Sequence, residues 1–171
     1  VYARKPCTLV VGESGLGKTL LARLAAATAS NYASVLWIHG IGQPKGITEL
    51  SIYPRGGLTH GSSVGPTATT LGEWLRNPPK TGGSPMLIVD DADALPEHSW
   101  QELLALLSRD FQLPHPVKVA IFTAPHLLPR LASADMIRLR RRVFRTCPLR
   151  PLTAEQVKEY VACRLTAAGG T

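Results

Sequence analysis

Residues Gly12-Glu13-Ser14-Gly15-Leu16-Gly17-Lys18-Thr19 satisfy the pattern G-x-x-x-x-G-K-[ST] in full, and few backbone geometries can accommodate it. Upstream, Thr8 to Val11 is a short run with β-branched residues that reads as a buried strand; downstream, Leu20 to Ala29 is rich in Leu and Ala and reads as a helix. The glycines therefore sit on a strand-to-helix turn. Gly12, Gly15 and Gly17 remove side chains and permit the φ values that turn backbone N–H groups inward, which makes a cradle of donors for polyphosphate. The helix that begins near Lys18 adds its unsatisfied N–H groups and the positive end of its dipole. Lys18 is placed to reach the β- and γ-phosphates, and the Thr19 hydroxyl to ligate Mg²⁺. Glu13, Ser14, Leu16 and Leu20 complete the nucleotide-binding stretch. With Gly at about 7% of average composition, a chance match in a chain this long is on the order of one in a hundred.

A second half of the site is expected where the hydrophobic run Met86 to Val89 ends in Asp90 and Asp91. A strand apolar on both faces belongs inside a parallel sheet covered by helices. Its terminal carboxylate is then delivered to the C-terminal sheet edge, where ligands of open α/β folds collect. Asp90 would hold Mg²⁺ and Asp91 would orient or deprotonate the attacking water. Asp93 reads as a surface or helix-capping residue with no chemistry assigned to it.

The remaining pattern alternates strands and helices. Ser34 to His39 and Val117 to Phe122 read as strands, the latter ending at Thr123 before Ala124-Pro125. Glu97 to Arg109 is an amphipathic helix with Trp100, Leu103, Leu104 and Leu107 on one face. Thr67 to Arg76 and Leu127 to Leu131 are further helical stretches, and Val143 to Leu149 is the expected last strand. Thr153 with Gln156 makes a capping box for a final helix, whose apolar face is Val157, Tyr160, Val161 and Leu165 and which Gly169-Gly170 ends. Between Gly40 and Gly65 no period survives, which predicts a long loop with a short extended piece around Ile52-Tyr53. The fold class is α/β: a three-layer sandwich around a mainly parallel five-stranded sheet.

Charge is informative because it is local. The net charge is +7, and Arg138, Arg140, Arg141, Arg142, Arg145 and Arg150 lie in one segment without an intervening acid. Cys7, Cys147 and Cys163 are odd in number and far apart, which fits a reducing compartment and excludes a disulfide framework or zinc site of C-x-x-C type. The five histidines show no metal-ligand spacing and read as ordinary surface or core residues. No signal peptide and no apolar run of membrane-spanning length is seen, so a cytoplasmic location is expected, at most on the cytoplasmic face of a membrane complex. The first residue is Val, as in a fragment or a processed chain.

Taken together, GESGLGKT, MLIVDDADAL, KVAIFTAP and LRRRVFRTCPLRPLTAEQVKEYVACRL resemble the successive landmarks of an AAA+ ATPase. The last stretch is most similar to the ExeA/GspA group of secretion and pilus-biogenesis ATPases. The resemblance implies a P-loop core over residues 1–150 and the start of a lid subdomain over 151–171. It implies ATP and Mg²⁺ as ligands, Gly12 to Thr19 as Walker A and Met86 to Asp91 as Walker B. Thr123 would stand at the sensor 1 position, touching the γ-phosphate or the water. Arg142, with Arg140 beside it, would supply an arginine finger to a neighbouring subunit of a homo-oligomer. The second acid is Asp91, where this family usually has Glu, which implies slow turnover. The later lid with its sensor 2 arginine and most of the segment upstream of the first strand do not occur in this sequence.

Three functions fit these expectations. One is an oligomeric ATPase that remodels a protein assembly, acting on a protein client or membrane-complex partner of a secretion or envelope machine. Another is a nucleotide-dependent DNA-binding regulator of the transposition type, whose arginine cluster neutralises phosphates. The last is a nucleotide-binding scaffold with little hydrolysis.

Overall fold

The computed structural model describes residues 7–40, 51–53, 74–75, 84–106 and 116–169. The strands are β1 (Cys7–Val11), β2 (Val35–His39), β3 (Ser51–Tyr53), β4 (Met86–Asp90), β5 (Lys118–Thr123) and β6 (Val143–Pro148). The helices are α1 (Lys18–Ser30), α2 (Glu97–Leu106), α3 (Leu127–Leu131), α4 (Ile137–Arg142) and α5 (Ala154–Ala167), with a 3-10 turn at Ala92–Ala94. They form one six-stranded sheet in the order β3-β2-β4-β5-β1-β6. Five strands are parallel, as the sequence predicts, and the short extended piece expected at Ile52-Tyr53 is the sixth, antiparallel to β2 at the sheet edge.

Strand alternation sorts the core into two layers. Cys7, Leu9 and Val11 of β1 face the same side as Leu36, Ile38, Leu87, Val89, Val119 and Ile121, where Trp100, Leu103 and Leu104 of α2 pack against them. Val10, Val35, Trp37, Ile88, Ala120 and Phe122 face the other side, against Ala22, Ala26 and Ala29 of α1. Fully burying each large aliphatic contributes roughly 1.5–3 kcal/mol, so the β-strands and α2 carry most of the stability. The alanine face of α1 contributes less per residue but lets the helix axis lie close to the sheet. That closeness sets its first residue, Lys18, against the end of β1.

The expected helix over 67–76 is described only at Trp74 and Leu75, both helical and buried. Leu107 and Arg109, most of the 40–65 loop and Gly170 lie outside the described residues. The arginine-rich segment, which carries no readable period, forms the single helical turn and a half of α4, running straight into β6.

The capping box of α5 is present as predicted. The Gln156 N–H donates to Thr153 Oγ1 at 3.3 Å and the Thr153 N–H donates to Gln156 Oε1 at 2.9 Å. No residue of α5 is buried, and its apolar side, Val157, Tyr160, Val161 and Leu165, is about half exposed. Among the described residues, no helix is long and apolar enough to cross a membrane.

Candidate functional site

The C-terminal ends of β1, β4 and β5 bring the site together. Gly12 follows β1 and is buried; a β-carbon there would stand 2.9 Å from Cβ of Leu149, whose N–H donates to the Val11 carbonyl at 2.7 Å. Gly15 and Gly17 have φ values of +84° and +81°, a left-handed geometry that an L-residue adopts only at a cost. Gly17 caps α1 with no side-chain hydrogen bond. Glu13, Ser14 and Leu20 are exposed, while Leu16 and Thr19 are half-buried.

Lys18 is buried, and its Nζ donates to the carbonyls of Gly12 and Glu13, each at 2.9 Å. The ammonium is thus folded over the loop that precedes it. Two carbonyl dipoles are weak compensation for a buried cation, and an anion in the loop would complete it.

Asp90 ends β4 fully buried. Its Oδ1 accepts from the Asp91 N–H at 3.1 Å, while Oδ2 has no hydrogen-bond partner among the described residues. Burial pushes its carboxyl above the usual carboxylate range, and the nearby Thr19 hydroxyl, which favours the charged form, works against it. The Asp91 charge pushes the same way as burial, and His39 and the Asp91 N–H oppose it. An orphaned, buried carboxylate oxygen beside a threonine hydroxyl is a hard-oxygen donor pair that fits Mg²⁺.

Two neighbours that sequence reasoning missed complete this corner. His39 ends β2, which is in register with β4 so that His39 pairs with Asp90. Its Nδ1 lies 3.7 Å from Asp91 Oδ2, and one ligand atom from each of His39, Asp90 and Asp91 lies within 4.8 Å of the others. The other neighbour is Asp93, in the turn after β4. It is not a surface residue: its side chain is 18% exposed, and its Oδ1 accepts from the Thr123 hydroxyl at 3.1 Å and the Ala124 N–H at 2.8 Å. Only the order of strands in the sheet brings these residues into contact, so no local signal in the sequence marks them.

Thr123 ends β5 fully buried, and its carbonyl accepts from the Gly12 N–H at 3.1 Å. The structure thus gathers Gly12 to Thr19, Asp90, Asp91 and Thr123 at one sheet edge. It does not bring Arg140 or Arg142 there. These end α4 just before Val143, which pairs with Cys7 at the opposite end of β1. At about 3.3 Å per residue, the length of β1 separates the backbone at Val143 from the start of the phosphate loop by on the order of 13 Å or more. Arg140 is exposed, and Arg142 is half-buried with its charge felt by Cys7. Burial, the larger influence, raises the Cys7 thiol to about 12 against that charge.

A parallel sheet in this order, with a glycine-rich loop and buried lysine after β1 and a buried aspartate ending the neighbouring-but-one strand, defines a P-loop nucleotide-binding fold. Residues 2–131 match the family model described as the AAA domain, and the chain belongs to that family.

Solved structures share the fold at low identity. A variant of Thermotoga maritima RuvB is 19% identical with a TM-score of 0.60 over 96% of this chain and 44% of that one. Brucella abortus NtrX in complex with ATP is 17% identical with a TM-score of 0.60, over 96% of this chain and 36% of that one. Hsp104 in a closed state with ATPγS and casein is 17% identical with a TM-score of 0.56, over 98% of this chain and 33% of that one. The chain spans less than half the length of each of these structures. No curated protein sequence matches it.

Proposed function

We propose that residues 1–150 are the nucleotide-binding core of an oligomeric AAA+ ATPase and that 151–171 begin its lid. The observation that carries this reading is that a buried Lys18 ammonium, held only by two loop carbonyls, and an orphaned, buried Asp90 carboxylate oxygen both stand at the C-terminal edge of the sheet. In this account the Gly12 to Leu20 stretch wraps the phosphates, and Lys18 leaves its two carbonyls for the β- and γ-oxygens. Thr19 and Asp90 would hold Mg²⁺, which when bound offsets negative charge on those oxygens. Asp91 orients or deprotonates the water that breaks the β–γ phosphoanhydride, and Thr123 helps place that water. Arg142, with Arg140 beside it, stands just before the strand residue that pairs with Cys7, at the far end of β1 from its own loop, and serves the site of a neighbouring subunit. Its distance from Gly12 within one chain supports a role in trans.

The work driven by the cycle is the remodelling of a protein client or membrane-complex partner, at the cytoplasmic face of a secretion machine. The likeness of Leu139 to Leu165 to the ExeA/GspA group supports the pathway, and the casein bound to Hsp104 supports a protein client. A DNA-binding regulator is the second reading. Arg140, Arg141, Arg145 and Arg150 are all exposed, and the RuvB structures include one described as a Holliday junction branch migration motor. A scaffold with little hydrolysis is the third, supported by the short Asp91 side chain.

ATP turnover against protein concentration, for wild type and Arg142→Ala, separates these. Turnover that rises steeply with concentration and collapses in the variant supports the oligomeric ATPase. Flat, negligible turnover with ATP still bound supports the scaffold. Salt-dependent DNA binding lost with the arginines supports the regulator.

A further inference from the structure

One carboxylate, that of Asp93, links the turn after β4 to the end of β5. Its Oδ1 accepts from the Thr123 hydroxyl at 3.1 Å and the Ala124 N–H at 2.8 Å, while Oδ2 stands 3.4 Å from Nε2 of His126. Thr123 is fully buried and its carbonyl accepts from the Gly12 N–H, so this link extends to the first residue of the phosphate loop.

A hydroxyl has one proton to give. Two acceptors compete for that of Thr123: Asp93 Oδ1 at 3.1 Å and the Ala124 carbonyl at 3.2 Å. An ionised carboxylate is the stronger acceptor. Asp93 remains ionised because, although burial opposes its charge, the Ala124 N–H, its own backbone N–H, the Thr123 hydroxyl and His126 together hold its carboxyl below the ordinary range.

We propose that Asp93 is a positioning residue that takes the only proton of the Thr123 hydroxyl, leaving that oxygen able to accept hydrogen bonds but not to donate them. The consequence rests on the ATPase reading above. Phosphate oxygens at neutral pH are themselves acceptors, so Thr123 has nothing to offer the γ-phosphate while Asp93 is in place. A water donates, and is the partner such an oxygen suits. Thr123 therefore acts on the attacking water beside Asp91, not as a contact of the nucleotide.

The test compares Asp93→Leu, Thr123→Val, Thr123→Ser and the Asp93→Leu/Thr123→Val double variant in the full chain. Leucine has nearly the shape of aspartate but no acceptor, whereas an asparagine would still take the Thr123 proton on its amide oxygen. Asp93→Leu and Thr123→Val should each lower kcat about tenfold while the Kd for Mg·ATP stays within about twofold, as expected for a lost water contact in a folded protein. The double variant should be no slower than the slower single one, and Thr123→Ser should retain most of the rate. Additive losses, an unchanged kcat in Asp93→Leu, or a loss of ATP affinity in Thr123→Val would overturn the proposal.

A readout independent of turnover is the NMR signal of the buried Thr123 hydroxyl proton, together with exchange of the Ala124 amide. Asp93→Ala should abolish the first and speed the second at least tenfold; if neither changes, the proposed hydrogen bond is absent. Wild-type protein that neither binds nor hydrolyses ATP would instead refute the ATPase reading, and the two NMR signals would still decide the hydroxyl assignment.

Discussion

A β-carbon on Gly40 would stand 1.9 Å from the carbonyl oxygen of Asp91. The Gly40 N–H donates to the Asp90 carbonyl at 2.8 Å, so the end of β2 lies directly on the turn that follows β4. At that turn Asp91 has φ of 47°, the one non-glycine residue in the left-handed region among those described. Aspartate tolerates this geometry better than most residues, but still at a cost. Gly40 is therefore part of what holds Asp91 where the proposed chemistry needs it.

Gly40→Ala should destabilise the protein by about 1–3 kcal/mol, because the added methyl meets backbone and not a side chain that could move aside. Turnover should fall with it, since the relief of the clash displaces Asp91. A denaturant midpoint equal to wild type would show that the β2 end and this turn are not clamped together.

Lys18→Ala should lower ATP affinity at least tenfold while costing no more than about 2 kcal/mol of stability, the loss of two hydrogen bonds to carbonyls. Calorimetric titration and thermal melts measure the two effects separately. Intact ATP binding in the variant would mean that the ammonium does not serve the phosphates.

Asp90 makes stability depend on pH in an unusual direction. Burial raises its carboxyl in the folded state, so the fold holds the proton more tightly than the unfolded chain does. Its contribution is full below the unfolded value of about 3.9 and is lost as pH rises through the folded value. Asp90→Asn should therefore raise the melting temperature at neutral pH, with a gain that shrinks as pH falls toward about 4. A gain that grows on acidification would contradict the burial argument.

Thr153→Ala removes the capping box of α5 and should lower local helix stability by about 1 kcal/mol. Since no α5 residue is buried, the effect should show in amide exchange of Glu155 to Lys158 and hardly at all in the global melting temperature.

What the sequence disclosed was local. The phosphate loop, the acid at the end of β4, Thr123 at the end of β5 and the Thr153–Gln156 cap each announce themselves within a few residues, because strand-to-helix turns and caps are short-range devices. His39, Gly40 and Asp93 were not legible, since each matters through a strand that is adjacent in the sheet but distant in the chain. His39 meets Asp91 because β2 lies beside β4, and Asp93 meets Thr123 because β4 lies beside β5. Asp93 in particular sits between Ala92 and Ala94 in the turn after β4, and nothing in its own neighbourhood reports that a threonine 30 positions away donates to it. The apolar side of α5 was legible as a pattern, but periodicity identifies a face without saying whether the chain itself covers it.

The most direct test of the account is the titration of ATP into the protein with Mg²⁺ and with EDTA, for wild type and for Asp90→Asn. Thr19 and the unpartnered Asp90 oxygen as Mg²⁺ ligands predict wild-type binding that weakens at least tenfold on chelation, and an Asp90→Asn variant that binds weakly under both conditions. Equal affinity in Mg²⁺ and EDTA, or an Asp90→Asn variant indistinguishable from wild type, would contradict it.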